Sequence, residues 1–294
     1  MKTNFRNGPR QFFVVGRLLL AAFLAFPLAV AATAETAAQG FGDLIVTPTR
    51  LVLEGRNATD QVMLSNRGAE TATFRISLTL LAMDEDGNLN EVETPPEGMR
   101  AASDFVRFAP RQVVIPPGGA QVVRLTLRKP QDLADGEYRT HLFMRAVPPE
   151  NRGTGIAATP GTGGELTIEL IPIFGISIPV IVRHGTVPDA QARLSDVALE
   201  KGEQGTVLRA TIHRDGIGSL YGDVVVRYLR DGAEPLVVGE ISRLAVYPEI
   251  ALRRVVVPVT PPEGVQLDKG RLEVTYQAAT EARTPLATAG IDIR

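Results

Sequence analysis

Apolar side chains alternate with polar ones along much of the chain, and the longest such run lies in the segment 163–185, GGELTIELIPIFGISIPVIVRHG. The even-numbered positions of this run are all apolar: Leu166, Ile168, Leu170, Pro172, Phe174, Ile176, Ile178, Val180 and Val182. A period of two predicts a strand with one face against apolar material. A single strand over 166–182 would be far longer than the usual length of about 5–6 residues.

The two halves of this run predict different environments. From residue 174 onward nearly every position is apolar, which predicts a strand buried on both sides, inside the first domain or at a domain junction. In residues 166–170 three apolar positions alternate with Thr167 and Glu169. This half is either a strand that covers its own core or an exposed edge strand lent to another protein, because residues 166–170 contain none of the lysines or prolines that normally protect edges.

The rest of the mature chain is also patterned as strands. Segments such as 43–55, 61–66, 72–80, 192–200 and 206–214 are rich in β-branched and alternating apolar residues, with turn signals at intervals of roughly 8–14 residues. No helical periodicity is evident. Two sets of about seven strands predict an all-β protein of two immunoglobulin-like sandwiches in tandem, with the boundary near 183–191. The polar segments 89–104 and 150–164 are predicted as loops.

The amino terminus has the pattern of an export signal. Four basic residues precede an apolar run over residues 18–32, and a small-x-small cleavage pattern ends at Ala34. We therefore predict a signal peptide over 1–34, with an uncleaved membrane anchor as the alternative. The predicted domains are 42–183 and 184–294, and the predicted location is the periplasm.

Charge and composition argue against several classes of function. The mature chain keeps 27 basic and 33 acidic residues, a net charge near −6, whereas nucleic-acid binding favours a basic face. There is no cysteine, so an exported domain must be held by its core alone. His141, His184 and His213 lack metal-ligand spacing, and the sequence has no nucleophile-elbow motif. We expect no cofactor and no enzymatic activity.

Three segments carry a resemblance to a known family. The stretches TPTRLVLEG (47–55), VVIPPGGAQVVRLTLR (113–128) and EYRTHLFMRAVPP (137–149) resemble the periplasmic pilus chaperones of chaperone–usher systems, the PapD-like family. The resemblance extends over about residues 42–183. It implies two immunoglobulin-like domains set at an angle, with a cleft that holds a pilus subunit lacking its last strand. The chaperone lends its G1 strand to that subunit and delivers it to an outer-membrane usher.

The resemblance also implies particular binding residues. By position, Leu166, Ile168 and Leu170 would be the residues donated to the subunit groove, and segment 150–165 would be the F1–G1 loop. Arg50 would hold the subunit's C-terminal carboxylate, a task that suits the planar guanidinium. The alternative for Arg50 is a solvated strand arginine.

This sequence departs from the family at one point. The family's second anchor is a lysine late in G1, and here Gly175 or Ser177 stands in its place. Arg183 or Arg145 could replace the lysine. The competing hypothesis is a structural or adhesive immunoglobulin-like protein without chaperone activity, which should bury both Arg50 and the edge at 166–170.

Overall fold

The computed structural model describes residues 44–55, 57–148, 157–160, 166–169, 173–202 and 205–294. All regular secondary structure in these residues is β. The predicted all-β fold of two immunoglobulin-like sandwiches is confirmed. The predicted signal peptide lies outside the described residues, and within them no helix is long and apolar enough to cross a membrane.

The first sandwich is built from two sheets in which most neighbouring strands are antiparallel. The strands up to residue 184 are β1 (Leu44–Thr47), β2 (Leu51–Leu53), β3 (Thr59–Asn66), β4 (Ala72–Thr79), β5 (Leu81–Met83), β6 (Leu89–Glu91), β7 (Val106–Ala109), β8 (Gln112–Ile115), β9 (Ala120–Leu127), β10 (Gly136–Val147), β11 (Ala157–Pro160), β12 (Leu166–Glu169) and β13 (Gly175–His184). One sheet has the order β1-β3-β9-β7, and the other has the order β2-β13-β10-β4-β8. The alternating apolar positions of both sheets face each other and form one core, which includes Leu64, Phe74, Leu125 and Leu142.

The first predicted strand, 43–55, is divided between the two sheets. Its first part, β1, pairs antiparallel with β3, whereas its second part, β2, pairs in parallel with β13. Pro48 lies between them and has no N–H to donate to a ladder, which explains why neither pairing continues through it. The crossing places Arg50 at the edge between the two sheets.

Two of the predicted loops contain strands. The segment 89–104 begins with β6, which pairs with β5 in a hairpin closed by Asp84, whose carboxylate accepts hydrogen bonds from the amides of Asp86 and Asn88. The segment 150–164 contains β11, which pairs with β12. The loop predictions were wrong at these positions because β6 and β11 are short, and their own residues, LNE and AATP, show no alternation of apolar and polar positions that would indicate a strand.

The second sandwich consists of the seven strands that the sequence predicts. They are β14 (Gln191–Gly202), β15 (Gly205–Asp215), β16 (Leu220–Leu229), β17 (Leu236–Val246), β18 (Leu252–Pro258), β19 (Gly270–Ala278) and β20 (Pro285–Ile293). The sheets have the orders β14-β15-β18 and β17-β16-β19-β20. Their core contains fully buried Tyr228 and Tyr276, whose hydroxyls donate to backbone carbonyls.

The predicted long strand 166–182 is two separate strands among the described residues. The second, β13, is buried on both sides as predicted: Val180 and Val182 face the first core, and Ile181 belongs to the second core. The first, β12, pairs with β11 and not with the sheet that contains β13. Pro172, which we expected to limit strand pairing, lies outside the described residues.

A buried ion pair joins the two sandwiches. Arg139 on β10 donates to both carboxylate oxygens of Glu249, at 2.5 and 3.1 Å, and the two side chains are only 3% and 2% exposed. Glu249 also accepts the backbone N–H of Met83, and Met83 itself is part of the second core. The contact therefore fixes the β5–β6 hairpin of the first sandwich against the second.

Candidate functional site

The strand crossing after Pro48 places Arg50 in the wall of an open cavity between the two sandwiches. The cavity, hereafter the Arg50 cavity, has a volume of about 540 Å³. Its lining residues are Val46, Thr47, Pro48, Thr49, Arg50, Val52, Tyr221 and Arg243. The first six come from the β1–β2 segment, and the last two come from the second sandwich.

Residues of the second sandwich hold the Arg50 side chain. Its guanidinium lies over the ring of Tyr221, 4.4 Å from the centroid, in cation–π geometry. Its two terminal nitrogens donate to the hydroxyls of Tyr247 and Ser219, at 3.5 and 3.4 Å. Burial raises the pKa of Tyr247, so this hydroxyl stays neutral. Both hydrogen bonds are long, and both acceptors are uncharged.

The Ser219 hydroxyl connects Arg50 to the carboxylate of Glu137, whose Oε2 accepts all of its hydrogen bonds, whereas Oε1 has no partner among the described residues. Buried Glu137 accepts hydrogen bonds from the Ser219 hydroxyl and backbone N–H, at 3.0 and 3.2 Å. The same oxygen pairs with Arg183, 3.3 Å away, and Arg183 also pairs with Glu54. In the described part of the chain, no ion pair involves Arg50. Its guanidinium is therefore available to an external anion.

The predicted binding residues lie in two places, Arg50 at the cavity and the three apolar residues in or next to β12. Arg50 is half-buried at the open cavity. Leu166 and Ile168 lie on β12, where the backbone alone is described, and Leu170 lies outside the described residues. Their role as donor residues stays a prediction.

The two positions that stand where the family has a lysine differ in the room they offer. A Cβ atom on Gly175 would lie 2.5 Å from the ring of Phe143, so a longer side chain there requires the ring to move. Ser177 pairs with Phe143 across the β10–β13 ladder and is half-buried. Of the two arginines considered as replacements, Arg183 is bound to two carboxylates and Arg145 is exposed opposite Gly175.

His141 lies close enough to Arg50 for that charge to act on it, and it is neutral. Burial, followed by the charges of Arg139 and Arg50, lowers its pKa to about 3. Neither ring nitrogen has a hydrogen-bond partner among the described residues. Groups of three or more residues able to hold a metal ion are absent from the described ranges.

One cluster elsewhere has the residue types of a hydrolase triad but the wrong arrangement. Ser195 Oγ lies 2.7 Å from His213 Nε2 and 2.7 Å from a carboxylate oxygen of Asp196. A serine hydroxyl has one proton, which it donates to Asp196, so His213 must donate to Ser195 rather than accept from it. A nucleophilic serine requires the opposite direction, with the carboxylate bound to histidine.

Sequence reasoning missed the contribution of the second sandwich to this site. Ser219, Tyr221, Arg243 and Tyr247 all lie about 170–200 residues after Arg50 in the chain. Each belongs to an ordinary strand pattern or turn, so no local signal in the sequence distinguishes them.

The similarity of this chain to known proteins is a similarity of fold. No protein-family model and no curated protein sequence matches the chain. Among solved structures, the chain is similar to the YadV chaperone (12% identity, TM-score 0.44, covering 86% of this chain and 100% of that one). It is similar to the Pseudomonas aeruginosa CupB2 chaperone (13%, TM-score 0.42, 85% and 100%). It is also similar to the CsuC–CsuE chaperone–tip adhesion subunit pre-assembly complex of Acinetobacter baumannii (13%, TM-score 0.42, 86% and 98%).

All three are structures that contain chaperones. The likeness lies in the all-β, two-sandwich fold.

Proposed function

We propose that this protein is a periplasmic chaperone for pilus or fimbrial subunits. It binds a subunit whose immunoglobulin-like fold lacks a strand, lends it the segment around β12, and delivers it to an outer-membrane usher. The work is binding rather than chemistry, so neither a cofactor nor a nucleotide is required.

The observation that carries the proposal is that Arg50 lines an open cavity and forms no ion pair with any of the described residues. Arg50 is half-buried, and a guanidinium taken partly out of water gains from a carboxylate partner because an unpaired charge there is costly. Arg50 instead has two long hydrogen bonds to neutral hydroxyls and an aromatic face beneath it. An incoming carboxylate could replace the two weak bonds with charge-assisted ones in fork geometry.

This arrangement favours the chaperone over a structural or adhesive module. A module that works through its outer surface gains nothing from an arginine held at an open inter-sandwich cavity. At the same junction Arg139, by contrast, is buried and paired with Glu249.

The donor role of β12 is supported by pattern and by pairing. Leu166, Ile168 and Leu170 alternate with polar residues, so one face of the strand is apolar. Among the described strands β12 pairs with β11 alone, which leaves its other edge for a partner. Filling a groove with apolar side chains contributes about 25 cal/mol per Å² buried.

Capture of subunits from periplasmic extract tests the proposal. The tagged protein should co-purify with a small immunoglobulin-like subunit identified by mass spectrometry. Arg50→Ala should lose most of that subunit, whereas Arg124→Ala, an exposed arginine on β9, should retain it. If no subunit is captured while pilin-like proteins are expressed, the proposal is wrong.

A second pair of variants tests the donor residues. Ile168→Asp should abolish protection of the subunit, because a charge would be buried unpaired in the groove. Thr167→Asp places the same charge on the adjacent polar position and should protect the subunit nearly as well as the wild type. Equal protection by both variants would contradict strand donation through the apolar face.

A further inference from the structure

We propose that Arg243 of the second sandwich is the second cation of the carboxylate site, and that it serves where the sequence has Gly175 or Ser177. The inference rests on the proposed function for the nature of the ligand, the C-terminal carboxylate of a subunit. It adds a binding residue from the opposite sandwich, so that the site is complete only when both sandwiches are in place.

The composition of the cavity wall supports an anion as the ligand. Arg50 and Arg243 both line the Arg50 cavity, and none of the other lining residues is acidic. In the part of the chain that the structure describes, neither arginine takes part in an ion pair. Two positive charges that share a cavity repel each other, and a bound anion removes that repulsion.

The backbone at Arg243 is held in an unusual conformation. Ser242 and Arg243 stand opposite the single residue Asp223 in a bulge of the β16–β17 ladder. Arg243 has a φ of 60°, which side-chain-bearing residues rarely adopt. The backbone N–H of Arg243 donates to the buried carboxylate of Asp223 at 2.8 Å. The bulge thus changes the direction of the β17 backbone at Arg243, and the hydrogen bond to the Asp223 carboxylate stabilises that conformation.

The remaining wall indicates the kind of carboxylate. Val46, Pro48, Val52 and the ring of Tyr221 make much of the lining apolar, and a volume of about 540 Å³ exceeds what a carboxylate group needs. A ligand that suits this wall carries an apolar group beside its carboxylate. The C-terminus of a chain whose last side chain is apolar or aromatic has that chemistry. An acidic side chain next to an apolar residue fits the same description less well.

The test uses three small probes and the purified exported protein. The probes are N-acetyl-alanyl-tyrosine as the free acid, the same dipeptide as its amide, and N-acetyl-glutamyl-tyrosine amide, which has a carboxylate on a side chain alone. NMR titration that follows the arginine Nε–H signals gives a Kd for each probe. The variants are Arg50→Gln, Arg243→Gln and Arg243→Lys.

Arg283→Gln is the matched control. Arg283 is also an exposed arginine of the second sandwich with a positive φ, 44°, but it does not line the Arg50 cavity. Thermal unfolding of every variant, followed by circular dichroism, separates lost binding from lost folding.

We expect the free acid to bind most tightly and the amide to show no binding. Arg243→Gln should raise the Kd of the free acid about tenfold, equivalent to about 1.4 kcal/mol. Arg243→Lys should recover part of the affinity through charge, and Arg283→Gln should behave as the wild type.

Three results would overturn the inference. The first is that Arg243→Gln binds the free acid with the same Kd as the control Arg283→Gln, whereas Arg50→Gln binds it more weakly. That result leaves the chaperone proposal intact with a single anchor. The second is equal binding of acid and amide, and the third is tighter binding of the side-chain carboxylate probe. Conversely, dipeptide binding without any subunit capture would keep the two-arginine site and refute the chaperone function.

Discussion

Replacing Glu249 with leucine should destabilise the protein more than any change to an exposed ion pair. The substitution leaves the Arg139 guanidinium, whose side chain is 3% exposed, without its carboxylate. It also leaves the Met83 N–H without its acceptor. Arg139 would keep a hydrogen bond to the Leu81 carbonyl and its stacking over the Tyr247 ring, 3.7 Å from the centroid.

The expected loss follows from burial of the charge. Breaking a buried ion pair by removing one partner costs about 3–5 kcal/mol, because the remaining charge is desolvated and uncompensated. Replacing both partners with apolar residues is often neutral. We therefore expect Glu249→Leu to lower the free energy of unfolding by about 3–5 kcal/mol, and the double variant Arg139→Met/Glu249→Leu to be more stable than the single one.

Urea unfolding monitored by circular dichroism measures the effect through the midpoint and the m-value. The matched control is Glu200→Leu, which removes the partner of Arg209. That pair has a similar distance, 2.6 Å, but its side chains are 53% and 49% exposed. Exposed pairs contribute about 0–1 kcal/mol. Equal losses in Glu249→Leu and Glu200→Leu would refute the reasoning, as would a double variant less stable than the single.

Two further predictions concern the face of β10 that points toward the junction. The pKa of His141 is lowered to about 3, so the stability contributed by its neutral form is present above pH 6.5 and is lost as the pH falls toward 3. Between pH 6.5 and pH 3 the free energy of unfolding should fall more steeply with pH in the wild type than in His141→Gln, by up to about 1.4 kcal/mol per pH unit. Parallel curves for the two proteins would show that His141 does not have a lowered pKa. Gly175→Ala should lower the free energy of unfolding by no more than about 1 kcal/mol, because Gly175 is exposed and only the far edge of the half-buried Phe143 ring has to move; a loss of about 3 kcal/mol would show that the ring is fixed in place.

The strands of this fold could be predicted because each carries its own pattern. In β13, Ile178, Val180 and Val182 alternate along one face, and that alternation alone indicates a strand with a buried side. Burial of Ile181 on the opposite face follows from the continuous apolar run. The seven strands of the second sandwich are equally local signals, separated by turns.

The contacts between sandwiches could not be predicted because they join distant residues. Arg139 and Glu249 are separated by 110 positions, and neither lies in a pattern that indicates its partner. The change of sheet at Pro48 depends on which strand accepts β2, which is a property of the assembled fold. Arg50 could be singled out by resemblance, but Tyr221, Ser219 and Arg243 could not, since their roles arise when the second sandwich closes the cavity.

The most direct test of the account is hydrogen–deuterium exchange at the backbone amides of Leu166–Glu169, measured in the free protein and in the complex with the captured subunit. Donation of β12 to a subunit predicts that these amides exchange much more slowly in the complex, while amides of β20, at the edge of the second sandwich, remain unchanged. Unaltered exchange at β12 in a complex that forms fully would contradict strand donation and would place the binding surface elsewhere.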